Sequence, residues 1–167
     1  VHISGGNEDE LIYIFNGIDS GDWIFSTYRN HYHALLHGMS KDWVMSEIMA
    51  GRSMGLMSEE YRFFSSAIVG GAISIATGVA AGIKTARSPD KVWCFIGDMA
   101  ATGGAFAEAN RYAIGRNLPI TYVIEDNGLS CDTPTVEAWG SGWREKTLRY
   151  QYERKRPHIN TGKWVKF

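Results

Sequence analysis

The sequence contains few of the residues on which small stapled or unstructured proteins depend. Its only two cysteines, Cys94 in an apolar run and Cys131 in a polar segment, lack the spacing of a zinc site or a disulfide framework. Four prolines and 21% charged residues exclude a proline-rich or highly charged disordered chain. With 44% hydrophobic residues, the 167 residues predict one soluble globular domain, 1–167, with its own core. Unpaired cysteines favour a cytoplasmic location, with an organellar matrix as the alternative.

A strong net charge and a clear membrane span are also missing. The formal net charge is −1, but residues 141–167 carry +6 and residues 1–140 carry −7, which marks a basic C-terminal segment. The basic patch at 154–156 has no RNA-binding motif beside it, so we expect no nucleic-acid partner. The longest apolar stretch, 67–83, is barely long enough to cross a membrane and contains four glycines. We therefore expect a buried helix there and no membrane association.

Local patterns predict helices that alternate with strands. Asn7, as a cap followed by three acidic residues, predicts one helix start, and Ser40 is the predicted cap of another helix. We expect residues 51–66 to form a loop. Helices are predicted at 7–17, 40–51, 67–86 and 104–117, and strands at 22–27, 91–96, 120–124 and 147–152. A buried strand, a helix and a second buried strand form the βαβ unit of a parallel sheet, so the fold class is α/β with a doubly wound parallel sheet.

Polar residues follow two of the predicted buried strands. Gly97 and Asp98 end one strand, and Asn127 follows the next strand, 29 residues after Asp98. Ligands of doubly wound sheets bind beside the carboxyl ends of the strands, so these side chains are expected to lie together. Carboxylate and amide oxygens suit Mg²⁺, and the glycine-rich segment 97–104 could hold a diphosphate on free N–H groups.

These residues resemble a known family. Segment 97–130 resembles the thiamin diphosphate motif, Gly-Asp-Gly followed at a distance by Asn-Asn, of the α subunits of 2-oxo acid dehydrogenase E1 components. Segment 26–31 is similar to that family's Tyr-Arg segment, and segment 2–8 to its His-x-x-x-Gly-Gln-Glu. The Asp-Thr-Pro-Thr at 132–135 also resembles the family's Ser-Thr-Pro-Thr, so the likeness covers residues 2–138 nearly continuously.

The resemblance implies a thiamin diphosphate-binding domain and a role for each matching position. Mg²⁺ would be held by the side chains of Asp98 and Asn127 and by the carbonyl of Leu129. His2 would face the substrate, and His158 would lie beside the cofactor as the second catalytic residue. The remaining cofactor-binding residues are Tyr28 and Arg29 at the diphosphate, Gly97, Met99 and Ala100 in the glycine motif, and Ala67 and Val69 at the pyrimidine.

Several positions depart from the family pattern. Met99 stands where the motif has its third glycine, and Asp126 stands where it has its first asparagine. A strand-and-helix unit of the family is missing between Gly140 and Thr147. Beyond that gap, segment 146–158 resembles the family's closing strand, with Glu153 in place of a tyrosine, and Ile159 replaces the serine of regulated members. The i, i+4 pair of His33 and His37 lacks a third ligand, so we expect no metal site there.

The function implied by the resemblance is that of an E1 α subunit in a larger oligomer. Such a subunit decarboxylates a 2-oxo acid and transfers the acyl group to a lipoyl domain. An E1 β-type subunit would supply the pyrimidine side of the site and the activating glutamate, so the chain alone is expected to be inactive. Two alternatives stay open: a split transketolase-like subunit, and a non-catalytic cofactor-binding module, which Met99 favours.

Overall fold

The computed structural model describes residues 1–141 and 147–158. These residues form an α/β fold in which a mostly parallel six-stranded sheet separates two layers of helices. The helices are α1 Glu8–Phe15, α2 His31–Leu36, α3 Lys41–Met49, α4 Gly71–Ala86, α5 Asp98–Ala101, α6 Gly104–Gly115 and α7 Thr135–Trp139. The strands are β1 Trp23–Ser26, β2 Met57–Ser58, β3 Phe63–Ser65, β4 Val92–Gly97, β5 Ile120–Asp126, β6 Leu129–Ser130, β7 Thr133–Pro134 and β8 Leu148–Gln151.

The strand order of the main sheet confirms the predicted doubly wound architecture. The order is β2-β3-β1-β4-β5-β8, and every neighbouring pair is parallel except β2 with β3. Because β1 lies between β3 and β4, the chain leaves β1 toward one side of the sheet and later returns to its other side. The direction of winding therefore reverses at β1, and a crevice opens beside the carboxyl ends of β1 and β4.

Alternating side chains on the strands build a core on each face of the sheet. One face packs Phe25, Cys94 and Ile124 against α4 and α6, and the other packs Ile24 and Phe95 against α1, α2 and α3. Buried residues on both faces are typical of strands covered by helices on each side. The predicted strands at 22–27, 91–96, 120–124 and 147–152 are all present, within one or two residues of their predicted ends.

Helix α4 differs in extent and burial from the buried helix predicted at 67–86. It begins only at Gly71, because the preceding Gly70 has φ +75°, outside the helical region. A Cβ on Gly71 would lie 2.8 Å from Ser66 Oγ, so the chain is closely packed at the start of the helix. Ala72, Ile73 and four further residues are buried, whereas Ile75 is 48% exposed. The helix therefore has one buried and one exposed face. No helix in the described residues is long and apolar enough to cross a membrane.

The prediction of a loop at 51–66 is wrong. This segment contains a 3₁₀ turn at Ser53–Gly55 and the strands β2 and β3, and β3 pairs in parallel with β1 inside the sheet. Phe63 of β3 is fully buried, which explains why so short a strand is held in place. Within the basic C-terminal segment, residues 142–146 and 159–167, including Ile159, lie outside the described residues.

Candidate functional site

A cleft opens at the carboxyl ends of β1, β3, β4 and β5, where the reversal of winding predicts a ligand site. The loop after β1 contributes one wall, the segment between β3 and α4 a second, and the residues after β5 a third. The end of the described chain, after β8, closes the cleft with Tyr152 and Arg154. Of the predicted cofactor-binding residues, the cleft is lined by Tyr28, Arg29, Val69, Gly97, Asp98, Met99, Ala100, Asn127 and Leu129.

Asp98 is a buried carboxylate next to this cleft. It is the first residue of α5, directly after β4, and is 1% exposed. Burial raises its pKa, and the nearby charge of Asp126 raises it further, while hydrogen bonds from Thr135 Oγ1 and from backbone N–H groups act in the opposite direction. An ionised carboxylate in such a position would be stabilised by a bound cation.

Asn127 and Leu129 offer further oxygen ligands at the same cleft. The Asn127 Oδ1 accepts a hydrogen bond from the Leu129 N–H at 3.0 Å, and its Nδ2 donates to the Tyr152 hydroxyl at 3.0 Å. These bonds fix the amide, and its oxygen retains a second lone pair. With the Leu129 carbonyl, the three residues match the hard oxygen ligands of Mg²⁺. No group of three His, Cys, Asp or Glu side chains suited to a metal occurs in the described part of the chain, so a cation here would also need ligand or water oxygens.

Asp126, which stands where the family motif has asparagine, is paired within the protein. Its Oδ2 lies 2.9 Å from Arg149 Nη1 and accepts a hydrogen bond from Gln151 at 3.3 Å, both from β8. Its Oδ1 accepts the N–H of Gly128 at 3.1 Å. The extra negative charge is therefore compensated by β8 and need not disturb the ligand set of Asp98 and Asn127.

Tyr28 and Arg29 follow β1 and belong to the wall that the loop after β1 forms. The Arg29 Nη1 donates to the Ile3 carbonyl at 2.8 Å, and the guanidinium lies 5.7 Å from the centre of the Tyr28 ring. The Ser4 hydroxyl donates to the Arg29 carbonyl at 3.1 Å. A guanidinium has five N–H donors, so the bond to Ile3 leaves donors for an anion in the cleft. Arg29 therefore combines a structural contact with an anion-binding capacity.

The Met99 side chain lies where the family motif has no side chain. Met99 is half-buried in α5 and lines the cleft. Its carbonyl accepts hydrogen bonds from the N–H of Thr102 at 3.2 Å and from the Thr102 hydroxyl at 2.7 Å. The structure also places α5, rather than the predicted helix start at Gly104, against the cleft, since Gly103 and Gly104 do not line it.

His2 and His158 lie together, one layer behind the cleft. Their ring centres are 5.0 Å apart, and the His2 ring is 4.7 Å from that of Tyr28. Neither histidine is among the residues that line the cleft, but Tyr28 is. Burial, followed by the charges of Arg29 and His158, lowers the pKa of His2 to about 4. At neutral pH His2 is therefore uncharged, and its buried Nδ1 has no hydrogen-bond partner within the described residues.

Two predictions concern residues outside the cleft lining. Ala67 is exposed and is not among the residues that line the cleft, so its contact with the pyrimidine stays a prediction. The side chain of Asn7 does not cap α1 and instead donates to Glu125 and Tyr150. The cleft also contains polar residues to which no role was assigned, among them Ser26, Glu125 and Tyr152. Ser26 and Glu125 lie within the predicted segments 26–31 and 97–130, and Tyr152 lies at the end of the predicted strand 147–152.

His33 does not share a site with His37 in the structure. Its Nδ1 is 2.7 Å from Ser26 Oγ, and its Nε2 is 3.3 Å from Glu125 Oε1. The His33 side chain is 1% exposed and stacks near Phe95, with ring centres 4.3 Å apart. His33 therefore belongs to a buried polar cluster beneath the cleft.

Comparisons with known proteins agree with this geometry. The family model described as "Dehydrogenase E1 component" matches residues 1–142. The α subunit of acetoin:2,6-dichlorophenolindophenol oxidoreductase from Bacillus subtilis is 32% identical over 145 residues, which cover 80% of this chain and 43% of that protein. The chloroplastic pyruvate dehydrogenase E1 component subunit alpha-3 of Arabidopsis thaliana is 34% identical over 164 residues, with 85% of this chain and 38% of that protein covered.

A solved structure supports the fold alone. It is an X-ray structure of a putative thiamin diphosphate-dependent enzyme from Mycobacterium smegmatis, with a TM-score of 0.50 and 16% sequence identity over 76% of this chain and 23% of that chain. The chain spans about two fifths of the curated relatives above, 43% and 38% of their lengths. Because the family model matches most of the sequence, the chain belongs to the dehydrogenase E1 component family.

Proposed function

We propose that this chain is the α-type subunit of a thiamin diphosphate-dependent 2-oxo acid dehydrogenase E1 and binds the cofactor through Mg²⁺. The observation that carries the proposal is the buried Asp98, which lies with Asn127 and Leu129 along a cleft at the reversal point of the sheet. Burial of a carboxylate that is held by neutral hydrogen-bond donors is unfavourable, so a cation site is its simplest explanation.

The diphosphate end of the cofactor would lie between the loop after β1 and the residues that follow β4 and β5. Arg29 would pair with phosphate oxygens through the guanidinium donors that Ile3 leaves unused, and Tyr28 would add a hydroxyl. On the opposite wall, Asp98, Asn127 and the Leu129 carbonyl would hold Mg²⁺, which commonly keeps diphosphate oxygens among its ligands. These residues bind and orient the cofactor and do not themselves react.

Bound thiamin diphosphate would supply the carbon nucleophile and the electron sink for decarboxylation of a 2-oxo acid. The residues of this chain would position the reaction and move protons. His2 is uncharged at neutral pH and can therefore accept a proton, or donate one from its protonated ring nitrogen. His158, in ring contact with His2, would orient that imidazole or share its proton.

The rest of the active site would come from partner chains. Ile68 and Val69 at the edge of the cleft are 75% and 65% exposed, which is unfavourable for large apolar side chains unless another surface covers them. We propose that an E1 β-type subunit covers them and supplies the activating glutamate, and that a lipoyl domain accepts the acyl group. The two free cysteines fit a reducing compartment, for which we propose the cytoplasm or an organellar matrix.

A second candidate function is a cofactor-binding module without activity. It is favoured by Met99, which lines the cleft at a position where the family motif has glycine. Binding and turnover therefore have to be measured separately.

The test is to assemble the full chain with candidate β-type chains and to measure reduction of an artificial electron acceptor with different 2-oxo acids. Calorimetry on the same complex gives the affinity for thiamin diphosphate with and without Mg²⁺. We expect Asp98→Asn to lose Mg²⁺-dependent binding and turnover, and the exposed control Asp42→Asn to behave as wild type. Unchanged affinity in Asp98→Asn would contradict the metal assignment. Binding without turnover of any 2-oxo acid would favour the inactive module, and turnover of sugar phosphates alone would indicate transketolase-like chemistry.

A further inference from the structure

A cluster of buried polar side chains, one of which lines the cleft, lies at the base of the cleft and joins distant parts of the chain. We name it the Glu125 clamp and define it as Glu125 with Asn7, Tyr150 and His33. Glu125 is at the end of β5 and is 8% exposed, while Asn7 and His33 are each 1% exposed. None of these residues is among the predicted catalytic, cofactor-binding or metal-binding residues.

A single oxygen of Glu125 holds the clamp together. Its Oε1 accepts hydrogen bonds from the Tyr150 hydroxyl at 2.6 Å and from Asn7 Nδ2 at 3.1 Å. Asn7 Nδ2 also lies 3.0 Å from the Tyr150 oxygen, so the three side chains form a closed triangle. His33 Nε2 approaches the same Oε1 to 3.3 Å, at ion-pair distance but without hydrogen-bond alignment.

The contacts of Asn7 show that its side chain serves tertiary structure and not the helix. Asn7 occupies the N-cap position of α1, where an asparagine side chain usually accepts a backbone N–H. It makes no such bond here and donates to Glu125 and Tyr150, which are 118 and 143 residues away in sequence. The Asn7 side chain therefore makes long-range hydrogen bonds in place of the local capping bond.

The clamp joins the two segments that carry the paired histidines. Asn7 follows residues 1–6, which contain His2, and Tyr150 lies in β8, which leads into residues 152–158, which contain His158. The two segments also meet where Lys155 N–H donates to the Gly5 carbonyl at 3.0 Å. At Gly6, which has φ +101°, they approach so closely that a Cβ would collide with the Glu153 carbonyl.

We propose that Glu125 is a positioning residue that fastens the N-terminal segment to the C-terminal segment and thereby sets His2 against His158 beside the cleft. This proposal rests on the proposed function only for the catalytic role of His2 and His158. The clamp itself rests on the contacts above. Glu125 acts through Asn7 and Tyr150, and it need not touch the substrate.

Two conservative variants each remove the hydrogen-bonding group of one side chain from the clamp. Tyr150→Phe deletes the hydroxyl and keeps the ring, and Asn7→Leu deletes both amide donors without removing a helix cap. The matched control is Tyr122→Phe, because the Tyr122 hydroxyl makes a similar buried bond of 2.7 Å to Thr77, on the other face of the sheet. Each clamp variant loses two contacts, one with Glu125 and one between Asn7 and Tyr150, whereas the control loses one buried bond outside the clamp.

The measurement is nuclear magnetic resonance of the histidine rings in the full chain. In wild type we expect a nuclear Overhauser effect between His2 and His158, whose ring centres are 5.0 Å apart, and titration of His2 with a pKa of about 4. In Tyr150→Phe and Asn7→Leu that effect should weaken, and the pKa of His2 should rise toward the 6.5 of a free histidine. Tyr122→Phe should change neither.

The outcomes separate this proposal from the proposed function. Unchanged His2 signals in both folded clamp variants would overturn the positioning role, and so would an equal change in Tyr122→Phe. If the clamp variants respond as expected but the wild-type complex shows no turnover, the clamp stands and the proposed function fails. If the complex is active, the clamp variants should lower kcat and leave the affinity for thiamin diphosphate within about twofold, because no clamp residue is placed on the diphosphate.

Discussion

The two buried aspartates at the ends of β4 and β5 differ in how the protein compensates their charge. Asp126 has Arg149 at 2.9 Å, whereas the hydrogen bonds to Asp98 come from Thr135 and the backbone. This difference supports the proposal that Asp126 stabilises the fold and that Asp98 binds Mg²⁺. Position alone would not have separated them, since both follow a strand.

Replacing Asp98 should therefore weaken the binding of Mg²⁺ and thiamin diphosphate and stabilise the ligand-free chain. We expect Asp98→Asn to raise the melting temperature of the chain when no ligand is present, because a neutral amide relieves the cost of a buried charge and can still accept from Thr135. The variant should gain no stability from Mg²⁺ and thiamin diphosphate, which would stabilise wild type by about 2.7 kcal/mol at one hundred times the dissociation constant. Thermal unfolding with and without both ligands measures this. Equal ligand-induced shifts in the two proteins would contradict it.

Met99 allows a second prediction at the residue scale. Met99→Gly should tighten thiamin diphosphate binding, because it removes a side chain from the cleft, and should cost the protein about 0.5–1 kcal/mol of stability, because glycine disfavours helices. Met45→Gly is the matched control, since Met45 lies in α3, is 49% exposed and is absent from the cleft lining. It should lose similar stability without any change in affinity. Calorimetry that finds weaker binding in Met99→Gly would show that the methionine contributes a contact.

Single residues were predictable where a local pattern carries their chemistry. Asp98, Asn127 and Arg29 follow strand ends in motifs that can be recognised in sequence, and the structure brings all three to one cleft. Thr135 and Glu125 could not be assigned, because their roles depend on partners tens of residues away. The prediction that Asn7 caps α1 failed for the same reason: a tertiary contact replaced the local one.

At the scale of elements, the length of a strand or helix determined whether it could be predicted from the sequence. The strands β4 and β5 have six and seven residues, enough for an apolar run to be recognised. Strand β3 has three residues, which cannot display an alternating pattern, and it was therefore mistaken for loop although it lies inside the sheet. The short helix α5 was hidden in the same way within a glycine-rich segment.

The exposed face of α4 leads to a prediction about its glycines. A Cβ on Gly78 would meet nothing within 4 Å, so Gly78→Ala should stabilise the chain by about 0.5–1 kcal/mol through helix propensity alone. Gly71→Ala should instead destabilise it, because its Cβ would lie 2.8 Å from Ser66 Oγ and 3.0 Å from Ile68 Cβ. Denaturant unfolding of both variants measures the two effects. A loss of stability in Gly78→Ala would show that this face is not open in the free chain.

At the scale of the whole molecule, some of the exposed apolar side chains lie where a partner is proposed. Ile68 and Val69 at the cleft edge and Ile75 on α4 are 75%, 65% and 48% exposed, and the chain spans only 43% and 38% of two curated relatives. The small residues Gly78 and Gly82 lie exposed on the same helix and would allow close approach of another chain. We therefore expect α4 to be part of an interface.

Assembly should then depend on the exposed face of α4. Gly82→Glu would bury an unpaired charge in the proposed interface, which costs several kcal/mol, so the dissociation constant of the complex with the β-type chain should rise roughly tenfold or more. Ser46→Glu, an exposed position on α3, is the control and should leave assembly unchanged. Light scattering across a concentration series should show that wild type does not persist as a monomer. A stable wild-type monomer at high concentration would contradict the interface and favour the inactive module, whereas equal assembly of wild type and Gly82→Glu would place the interface on another surface.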